Sequence, residues 1–558
     1  MLVPLSWLRD FAPIDRDPDE LASVFSNLGL VVEGMTRVGG GLEGIVVARV
    51  LALRPHPDAD KIQLVDVDPG DGSSLQIACG AFNMAVGDLA PLATLGAVMP
   101  NGMAIGRRKM RGEWSNGMLC SASELGLPED GDGGILLLPP GLADPGTPLT
   151  EALALSEDVV YDLEISPNRP DALSVAGVAR DLAAALGVPF SLPSVSVPID
   201  ATVERATIDV RAPELSPRFS GTVLSGITVG ASPAWLARRL TLCGMRAINN
   251  VVDVSNYVML ELGQPNHAYD LDHLPGRGLV IRRARAGETL VTLDGIERRL
   301  ASDDCLICDA ESSPVGIAGI MGGASSEISA TSSTVLLEAA YFAPMAIART
   351  GNRLGLFSEA RARFERGTDP EIIDLAINRF ASLLPCARGV TVDVRSEQSL
   401  PAPRRVLVRT GRVNAILGTS LTNEAVATLL APIGFATEAG PEPDVQAVTI
   451  PTWRPDSERE IDVIEEIGRL HGYRNIGRTL PRGVRAGGGL NRYQKQRRLV
   501  RSILAGAGVS EAWTTTFLGP GDLERAGLPG AAVQVENPLD RSESLLRSSL
   551  IPGLLKAV

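Results

Sequence analysis

The sequence predicts a multidomain α+β protein, and three observations support this fold class. The chain has 558 residues, enough for roughly three to five domains of ordinary size. Hydrophobic residues make up 45% of the chain and charged residues 21%, a balance that can fill several cores and is too weakly charged for a disordered protein. Along the chain, a block of short alternating strands is followed by blocks in which strands and helices mix.

The first 150 residues predict a short N-terminal unit followed by a small β-barrel. Residues 1–38 open with an apolar turn and continue into a helix that starts at Asp17 and ends at Gly29. In residues 39–150, short strands are separated by Gly, Pro and Asp about every ten residues, which is typical of a small barrel. The predicted strands are IVVARVLALR, IQLVDVD, LQIACG and ILLLPP.

The next 250 residues predict a helical connector and a larger α+β domain. Residues 151–200 contain a strand, a turn, a helix and a Pro/Ser linker, and we expect this connector to pack with the N-terminal unit. Residues 205–400 mix strands such as GLVIRRARA and TVLLEAAYF with helices, one of which we expect Ser232 to cap.

Two smaller blocks complete the chain. Residues 401–480 predict two short helices, the strand VQAVTIP and a longer acidic helix. Residues 481–558 begin with a glycine-rich connector and continue into a basic helix, NRYQKQRRLVRSILAGAG, and a strand, AWTTTFLG. The amphipathic segment SLLRSSLIPGLLKAV then reaches Val558 without a stop signal, so we expect the chain to end inside a domain.

Charge and hydropathy limit the classes of protein to which the chain can belong. Its 52 basic and 66 acidic residues give a net charge of −14, so any contact with nucleic acid must be made by a local basic patch. Aromatic residues are only 4%, which leaves few platforms for base stacking. No stretch approaches the roughly 18 apolar residues of a membrane span, and the start turns acidic before a signal core could form. We therefore expect a soluble, cytoplasmic protein.

The cysteines fit a reducing compartment. Six in the whole chain are too few for a disulfide framework. The close pair Cys305 and Cys308 is either a metal or redox site or, as the four histidines and the lack of a second pair favour, two buried strand cysteines. The sequence shows no Ser-His-Asp order, P-loop or zinc signature.

A basic cluster in the predicted barrel is a candidate contact for phosphates. Small five-stranded barrels are frequent oligonucleotide binders, and four cations within five residues could hold several phosphates. The alternative is an ordinary solvated edge strand. The cluster consists of Arg107, Arg108, Lys109 and Arg111.

The acidic helix carries a second candidate site. If the helix begins after Asp456, then Asp462, Glu465 and Glu466 span about 100° of one face, opposite the apolar residues. Like charges at this spacing destabilise a helix slightly, and a bound magnesium ion would reverse that cost. A solvated acidic face is the alternative.

The central block offers a third candidate site. Gly319, Gly322 and Gly323 supply backbone that a ligand can approach closely. His267 and Glu338 are the polar groups that we expect in such a pocket. The alternatives are a structural histidine and a surface acid at a strand end.

Several strings together resemble a known family. HPDADK, CGAFN and SNGMLCSASELG are similar to the tRNA-binding oligonucleotide-fold domain of synthetase-associated proteins. NNVVDVSNYVMLELGQPNHAYDLD, GIMGG, RFERGTDP, PTWRPDSEREIDVIEEIGRLHGY and NPLDRSESLLRSSLIPGLL, in this order, resemble bacterial phenylalanyl-tRNA synthetase beta subunits. The resemblance covers essentially the whole chain.

The resemblance implies an α2β2 ligase that joins phenylalanine to its tRNA, with ATP bound and the amino acid attached on the alpha subunit. It implies magnesium as a cofactor, and the ligands carry over to Asp456, Asp462, Glu465 and Glu466. Residues 481–558 resemble the start of a class II synthetase-like domain that lacks the ATP-binding residues. Family members continue into further C-terminal domains, so we expect a fragment or a naturally shorter protein.

The resemblance also implies an editing site that hydrolyses tyrosine wrongly attached to the phenylalanine tRNA. We expect Glu338 to accept the hydrogen bond of the tyrosine hydroxyl group, which phenylalanine lacks. Ser255 and Ser358 stand where threonine is usual, and Phe357 and Arg361 also depart from the family pattern. The implied site residues are Ser255, Asn256, His267, Gly319, Glu338, Ser358 and Ala360.

Two other functions remain open on these residues. A free-standing tRNA-binding or trans-editing protein could use the same modules, although it would have no use for the acidic helix or for the C-terminal block. A catalytically inert scaffold is the other alternative, and it would lose no editing when Glu338 is replaced.

Overall fold

A computed structural model describes residues 1–40, 42–127, 133–153, 157–478 and 488–558 of the chain. The residues form two compact units, Met1–Gly477 and Arg478–Val558. No helix in these described ranges is both long enough and apolar enough to cross a bilayer.

The N-terminal unit folds around a helix whose ends match its sequence signals. The Asp17 side chain accepts a hydrogen bond from the backbone N–H of Asp19, and Gly29 takes a left-handed φ of +80° just after the helix. Its elements are β1 Leu2–Pro4, α1 Leu5–Leu8, α2 Pro18–Asn27 and β2 Val31–Val38.

The predicted barrel region contains a five-stranded antiparallel sheet with the order β5-β4-β3-β6-β9, and β7 and β8 form a separate hairpin. The expectation that ILLLPP forms a strand is wrong, because only Leu138 makes an isolated bridge, to Leu89. The two prolines that follow have no N–H to donate to a ladder. The elements are β3 Ile45–His56, β4 Ala59–Asp68, β5 Leu75–Cys79, β6 Leu89–Ala93, β7 Arg108–Met110, β8 Glu113–Ser115, β9 Met118–Leu119 and α3 Leu149–Ala152.

The connector consists of β10 Asp158–Glu164 and α4 Val175–Leu186. β10 lies between β1 and β2 in an antiparallel sheet, so residues far apart in sequence share one ladder. Helix α4 is capped at its start by Ser174, whose hydroxyl accepts a hydrogen bond from the Gly177 N–H at 3.0 Å.

The central block contains two five-stranded sheets and a two-stranded sheet of β15 and β16. One five-stranded sheet has the order β11-β14-β17-β18-β19, and the other has the order β13-β20-β12, with β21 and β22 both pairing with β12. The strands are β11 Thr207–Val210, β12 Arg218–Ser225, β13 Asn266–Asp270, β14 Gly278–Arg283, β15 Thr289–Val291, β16 Glu297–Arg299, β17 Cys305–Asp309, β18 Pro314–Ile317, β19 Met321–Gly322, β20 Thr334–Tyr341, β21 Ala387–Arg388 and β22 Val392–Arg395.

Five helices accompany these sheets. The expected cap at Ser232 is not formed, because its hydroxyl group donates to the fully buried carboxylate of Asp253 instead. The helices are α5 Ala234–Leu242, α6 Asn250–Leu262, α7 Pro344–Leu354, α8 Glu359–Phe364 and α9 Ile373–Ser382.

Strand β20 lies between two hydrophobic cores. Because side chains alternate along a strand, Val335 and Leu337 enter one core, while Leu336 and Ala340 enter the other. Glu338 is on the same face as Leu336 and Ala340. A carboxyl group therefore lies in the middle of an apolar sheet face.

Residues 401–477 form a small domain around the sheet β23-β25-β24. The acidic helix begins at Glu460, three residues later than expected, because the backbone N–H of Arg459 donates to Asp462 in a capping box. The elements are β23 Arg405–Arg409, α10 Thr410–Leu417, α11 Asn423–Leu430, β24 Ala436–Ala439, β25 Val445–Thr449 and α12 Glu460–His471.

The second unit is built around a short antiparallel pair, β26 with β27. The expected strand AWTTTFLG is reduced to Phe517–Leu518. The expected boundary between residues 480 and 481, with most of the glycine-rich connector, lies outside the described residues. The elements are α13 Arg492–Gly506, β26 Phe517–Leu518, α14 Asp522–Arg525, β27 Leu545–Leu546 and α15 Ile551–Ala557.

Short 3-10 helices complete the secondary structure. They are Ser123–Leu125, Pro170–Leu173, Leu271–His273, Pro275–Arg277, Ala324–Ser326, Ala431–Ile433, Tyr473–Asn475 and Arg541–Glu543.

Candidate functional site

A cavity of about 90 Å³ lies beside the strand pair β13 and β20. His267 is directly opposite Glu338 in the antiparallel ladder, and Tyr269 is two residues further along β13, on the same face. The volume corresponds to about three water molecules. The lining residues are Pro265, Asn266, His267, Tyr269, Ile307, Gly316, Ile317, Gly319, Ile320, Met321, Gly322, Glu338, Ala360 and Phe364.

Glu338 is the acidic group of this cavity. Only 5% of the residue is exposed, and burial raises the pKa of its carboxyl group to about 7, although a hydrogen bond from Tyr269 opposes the rise. The Tyr269 hydroxyl donates to Oε2 of Glu338 at 2.6 Å. Near pH 7 the carboxyl group is therefore divided between its neutral and ionised forms.

His267 is the basic group of the cavity. Burial lowers the pKa of its imidazole to about 4, so the ring is neutral at pH 7 and can accept a proton. Its ring packs edge-on against Tyr269, with 4.6 Å between the ring centroids. A Cβ at Gly322 would lie 3.0 Å from the imidazole, so a glycine there leaves room for the ring.

The expected glycines have different positions. Gly319 lines the cavity with a φ of +67°, and a Cβ there would lie 2.9 Å from Phe342 and 3.0 Å from Phe364. Gly322 also lines the cavity, whereas Gly323 is packed against the Val315 carbonyl instead. Two of the three therefore contribute to the cavity wall.

Four of the seven expected editing residues line the cavity, namely His267, Gly319, Glu338 and Ala360. The other three, Ser255, Asn256 and Ser358, are not among the lining residues.

The two serines do not face the cavity but contact the residues that form its wall. The Ser255 hydroxyl donates to the Asn266 carbonyl at 2.9 Å, and the Ser358 hydroxyl donates to the Ile320 carbonyl at 2.8 Å. Both carbonyls belong to lining residues. The hydroxyl groups thus hold the wall in place.

Arg361, one of the departures from the family pattern, does not fill the cavity. Its side chain is buried, and its guanidinium group donates to the Leu356 carbonyl and pairs with Glu365. A Cβ at Gly351 would lie 2.3 Å from the Arg361 side chain, so this glycine makes room for the arginine. Phe357 is 83% exposed.

Sequence reasoning missed Tyr269. The sequence could have indicated this residue, because residues two apart on a strand point to the same face. His267 was expected in the cavity, so Tyr269, two residues later in NHAYD, could have been expected there as well. The contact with Glu338 could not be found in this way, because it depends on the register between β13 and β20.

The expected acidic face on α12 is wrong. Glu466 is 3% exposed and points into the protein, while Glu465 is exposed to solvent and Ile461 is 40% exposed. Asp462 accepts hydrogen bonds from the backbone N–H groups of Glu458 and Arg459. The carboxylates therefore separate instead of gathering on one face.

Arginines pair with three of these carboxylates, and the exposed Arg459 is the partner of Asp462. Arg454 pairs with both Asp456 and Glu466, and Arg469 pairs with Glu466. Burial alone would raise the pKa of Glu466, but the two guanidinium charges outweigh it and lower the pKa to about 2. The four expected ligands do not fit a magnesium site in this arrangement, and no group of three or more His, Cys, Asp or Glu within the described ranges could hold a metal ion.

The basic cluster lies on the hairpin formed by β7 and β8, and all four of its cations are exposed. Trp114 on β8 is 42% exposed, with the Arg107 guanidinium 4.5 Å and the Lys109 ammonium 5.8 Å from its ring centroid. The Gln76 amide donates to the Trp114 carbonyl at 3.1 Å, which holds the hairpin against β5. Sequence reasoning missed this aromatic residue among the cations.

Cys305 and Cys308 are free, buried thiols on β17. Burial raises the pKa of both groups, that of Cys308 to about 11. They therefore behave as packed strand residues.

Four family models match the chain. A putative tRNA binding domain matches residues 45–148, a B3/4 domain matches residues 215–387, and a tRNA synthetase B5 domain matches residues 406–473. A phenylalanyl tRNA synthetase beta chain CLM domain matches residues 476–558. The cavity lies entirely within the B3/4 match.

Curated relatives match the chain from end to end. Phenylalanine–tRNA ligase beta subunits of Geobacter metallireducens and Geobacter sulfurreducens are 43% and 44% identical to it, and each alignment covers 100% of this chain and 70% of the relative. A solved N-terminal fragment of the Pyrococcus horikoshii phenylalanyl-tRNA synthetase beta subunit is 14% identical, with a TM-score of 0.32, covering 56% of this chain and 87% of that chain.

Proposed function

This chain belongs to the phenylalanine–tRNA ligase beta-subunit family, and on that basis we propose that its own chemistry is the hydrolysis of tyrosine wrongly attached to the phenylalanine tRNA. The observation that carries the proposal is the buried carboxyl group of Glu338 in the wall of an otherwise largely apolar cavity. A ligase pocket built for phenylalanine rejects an added hydroxyl group only about a hundredfold, so a second, polar site is needed.

Recognition depends on the hydrogen bond to Glu338. A tyrosine side chain donates its hydroxyl proton to the carboxylate, whereas phenylalanine leaves this buried acceptor without a ligand donor. The correctly charged tRNA is therefore spared. An engineered cavity of roughly 150 Å³ holds benzene, so the wall must widen to admit a phenol ring into the 90 Å³ present here.

Hydrolysis needs a base and a positioned water molecule. The neutral imidazole of His267 takes a proton from water as the water oxygen attacks the ester carbonyl carbon. The bond between this carbon and the ribose oxygen then breaks, and the proton passes to the ribose. Ser255 and Ser358 support the wall through the Asn266 and Ile320 carbonyls.

The deciding experiment replaces Glu338 with alanine. We expect the wild-type chain, assembled with a bacterial alpha subunit, to hydrolyse tyrosyl-tRNA, and Glu338→Ala to lose this activity by roughly a hundredfold. Glu311→Ala, which removes an exposed carboxylate from the same block, is the matched control. Undiminished hydrolysis of tyrosyl-tRNA by Glu338→Ala would contradict the proposal.

The hairpin β7–β8 is the proposed tRNA contact. Its four exposed cations can neutralise phosphates although the whole chain carries a net charge of −14. Trp114 between Arg107 and Lys109 adds a ring on which an unpaired base can stack.

Magnesium is proposed from the family resemblance alone. Binding by Asp456, Asp462, Glu465 and Glu466 requires their present arginine and backbone partners to be released, and Glu465 is the member that solvent reaches most readily.

The beta-subunit relationship implies an alpha partner, and we propose an α2β2 assembly in which ATP binds to the alpha subunit.

The proposed location is the cytoplasm, because all six cysteines are free thiols, as in a reducing compartment. The proposed domains are 1–38, 39–150, 151–200, 205–400, 401–480 and 481–558. Among the residues that the structure describes, every sheet except that of β1, β2 and β10 lies within one of them.

A further inference from the structure

We propose that Tyr269 is a specificity-determining residue of the cavity: its hydroxyl group holds Glu338 in one orientation and leaves the second carboxylate oxygen for a ligand hydroxyl. This inference rests on the proposed editing function and extends it to a residue that does not itself contact the ester. The ligand class is a phenol carried by an aminoacyl ester.

The geometry assigns Tyr269 this role. Its hydroxyl donates to Oε2 of Glu338 at 2.6 Å, and both residues line the cavity. Within the described part of the chain, no other side chain is found donating to this carboxylate. Because Tyr269 donates to Oε2, the other oxygen, Oε1, is available to accept a hydrogen bond from a phenol in the cavity.

The backbone fixes this contact. Tyr269 lies diagonally across the ladder from Glu338, on a strand whose neighbouring residue on the same face, His267, packs edge-on against the phenol ring. Tyr269 is only 1% exposed. The ring therefore has little freedom to leave the carboxylate.

The hydrogen bond also sets the charge of Glu338. Donation by the phenol favours the ionised carboxylate and opposes the effect of burial on its pKa. An ionised carboxylate carries no proton and can only accept hydrogen bonds. In this form it distinguishes a phenol, which donates a hydrogen bond, from a benzene ring, which does not. Removing the donor should therefore reduce discrimination as well as rate.

No other group in the cavity titrates between pH 5 and 9. The pKa of His267 is lowered to about 4, and the pKa of Tyr269 is raised well above its usual value, in both cases by burial. Burial also raises the pKa values of Cys305 and Cys308 on β17. The strand on the other side, β12, places Gly221 opposite Glu338.

The test compares pH profiles of tyrosyl-tRNA hydrolysis by the chain assembled with an alpha subunit, after subtraction of the protein-free rate. We expect Tyr269→Phe to move the midpoint up by about one to two pH units and to lower the rate at pH 7 about tenfold. The shift between variants is the readout, because the substrate amine titrates equally in both. A merely structural role for Tyr269 would lower the rate without moving the midpoint.

The matched control is Tyr341→Phe, which removes a hydroxyl group on the opposite face of β20 and should leave the midpoint unchanged. If the pH profile of Tyr269→Phe has the same midpoint as that of the wild type, this inference is wrong, while the proposed editing function is unaffected. Failure of the wild-type assembly to hydrolyse tyrosyl-tRNA would instead overturn the proposed function and the inference with it. Urea unfolding of each variant verifies that it is folded.

Discussion

At position 338, a single carboxyl group is controlled by its two apolar neighbours and one phenol. Leu336 and Ala340 flank it on the same face of β20, and burial there raises its pKa to about 7 against the hydrogen bond from Tyr269. A carboxyl group at an exposed strand end would show no such change. The strand face on which a glutamate lies thus determines the pKa of its carboxyl group.

This raised pKa has a consequence for stability. The folded protein binds the Glu338 proton more tightly than the unfolded chain does, so the associated stability is present at low pH and is lost as pH rises from about 4.3 to about 7. Glu338→Gln removes this loss. Relative to wild type, we expect the free energy of unfolding of the variant to increase by up to about 3 kcal/mol between pH 4.5 and pH 8.

Urea unfolding at pH 4.5, 6 and 8 measures the effect. Glu465→Gln, a change of an exposed carboxylate, is the control and should give no such pH-dependent difference. If the difference in free energy of unfolding between wild type and Glu338→Gln stays constant from pH 5 to 8, the pKa of Glu338 is not raised.

Among the elements, the hairpin β7–β8 combines charge with an aromatic ring in a way that neither strand alone provides. Arg107 and Lys109 reach Trp114 only because the turn brings β7 beside β8. Gln76 holds the hairpin against the edge of the larger sheet. The result is an exposed ring with two cations beside it, on a hairpin that carries four.

For this hairpin we expect Trp114→Ala to weaken tRNA binding by about 1 to 3 kcal/mol, and Trp114→Phe to retain most of the affinity, because a base stacks on either ring. Arg108→Ala should instead reduce the dependence of log affinity on log salt by about one. Filter binding across a salt series measures both. Trp235→Ala, a tryptophan of similar exposure on α5, should bind normally, and equal losses at both tryptophans would contradict the proposed contact.

Helix α13 has an apolar stripe that its own unit leaves exposed. The helix has no buried residue. Its helical spacing places the members of the stripe within one broad arc, opposite Ala505. A stripe of this kind is typical of a contact with a partner protein. Its members are Tyr493, Leu499, Val500, Ile503 and Leu504.

We expect the double change Leu499→Glu and Ile503→Glu to abolish co-purification with the alpha subunit, because it places two charges within an apolar contact. Ala505→Glu, on the opposite face of the same helix, should have little effect. Circular dichroism of each variant checks that the helix remains. Normal co-purification of the double variant would place the alpha contact elsewhere.

On the scale of the whole chain, a buried ionic cluster joins segments that are far apart in sequence. Asp181 on α4 accepts hydrogen bonds from both Arg169 and Arg469, and Arg469 also pairs with Glu466 on α12. Burial opposes the ionisation of Asp181, but the arginine charges outweigh it and hold its pKa well below the usual range. The connector and the small domain are therefore stabilised by a shared set of charges.

Because these pKa values are lowered, the stability that they contribute is present above about pH 4.5 and is lost as pH falls toward 2. We expect Glu466→Gln to cost about 3 to 5 kcal/mol at pH 7, because it leaves buried guanidinium charges without their partner. The exposed Glu465→Gln should change stability by less than about 0.5 kcal/mol.

Urea unfolding at pH 7 and pH 3 measures these effects, and titration of the assembly with magnesium separates a structural role from a metal-binding one. If Glu465→Gln alters the magnesium response without altering stability, the proposed ligand role is supported. A Glu466→Gln variant as stable as wild type would contradict the structural role of the cluster.

The sequence by itself predicts the α+β class, most strands and helices, the basic cluster and five residues of the cavity wall, because alternation, helix caps and turn residues are local signals. Residues such as Glu338 and His267 are also recognisable from their motifs. Local signals failed at the strand expected from ILLLPP and at the Ser232 cap. At ILLLPP the two prolines that follow have no N–H for a ladder, and at Ser232 the buried Asp253 carboxylate takes the hydroxyl group.

Only the tertiary structure decided where each charge lies. The register between β13 and β20 brings Tyr269 to Glu338, and the packing of α12 turns Glu466 inward to Arg454 and Arg469. Helical periodicity alone placed the acids together, since it contains no information on arginines that arrive from distant segments. The ionisation of a side chain depends on burial and on partners remote in sequence, and the fold alone supplies both.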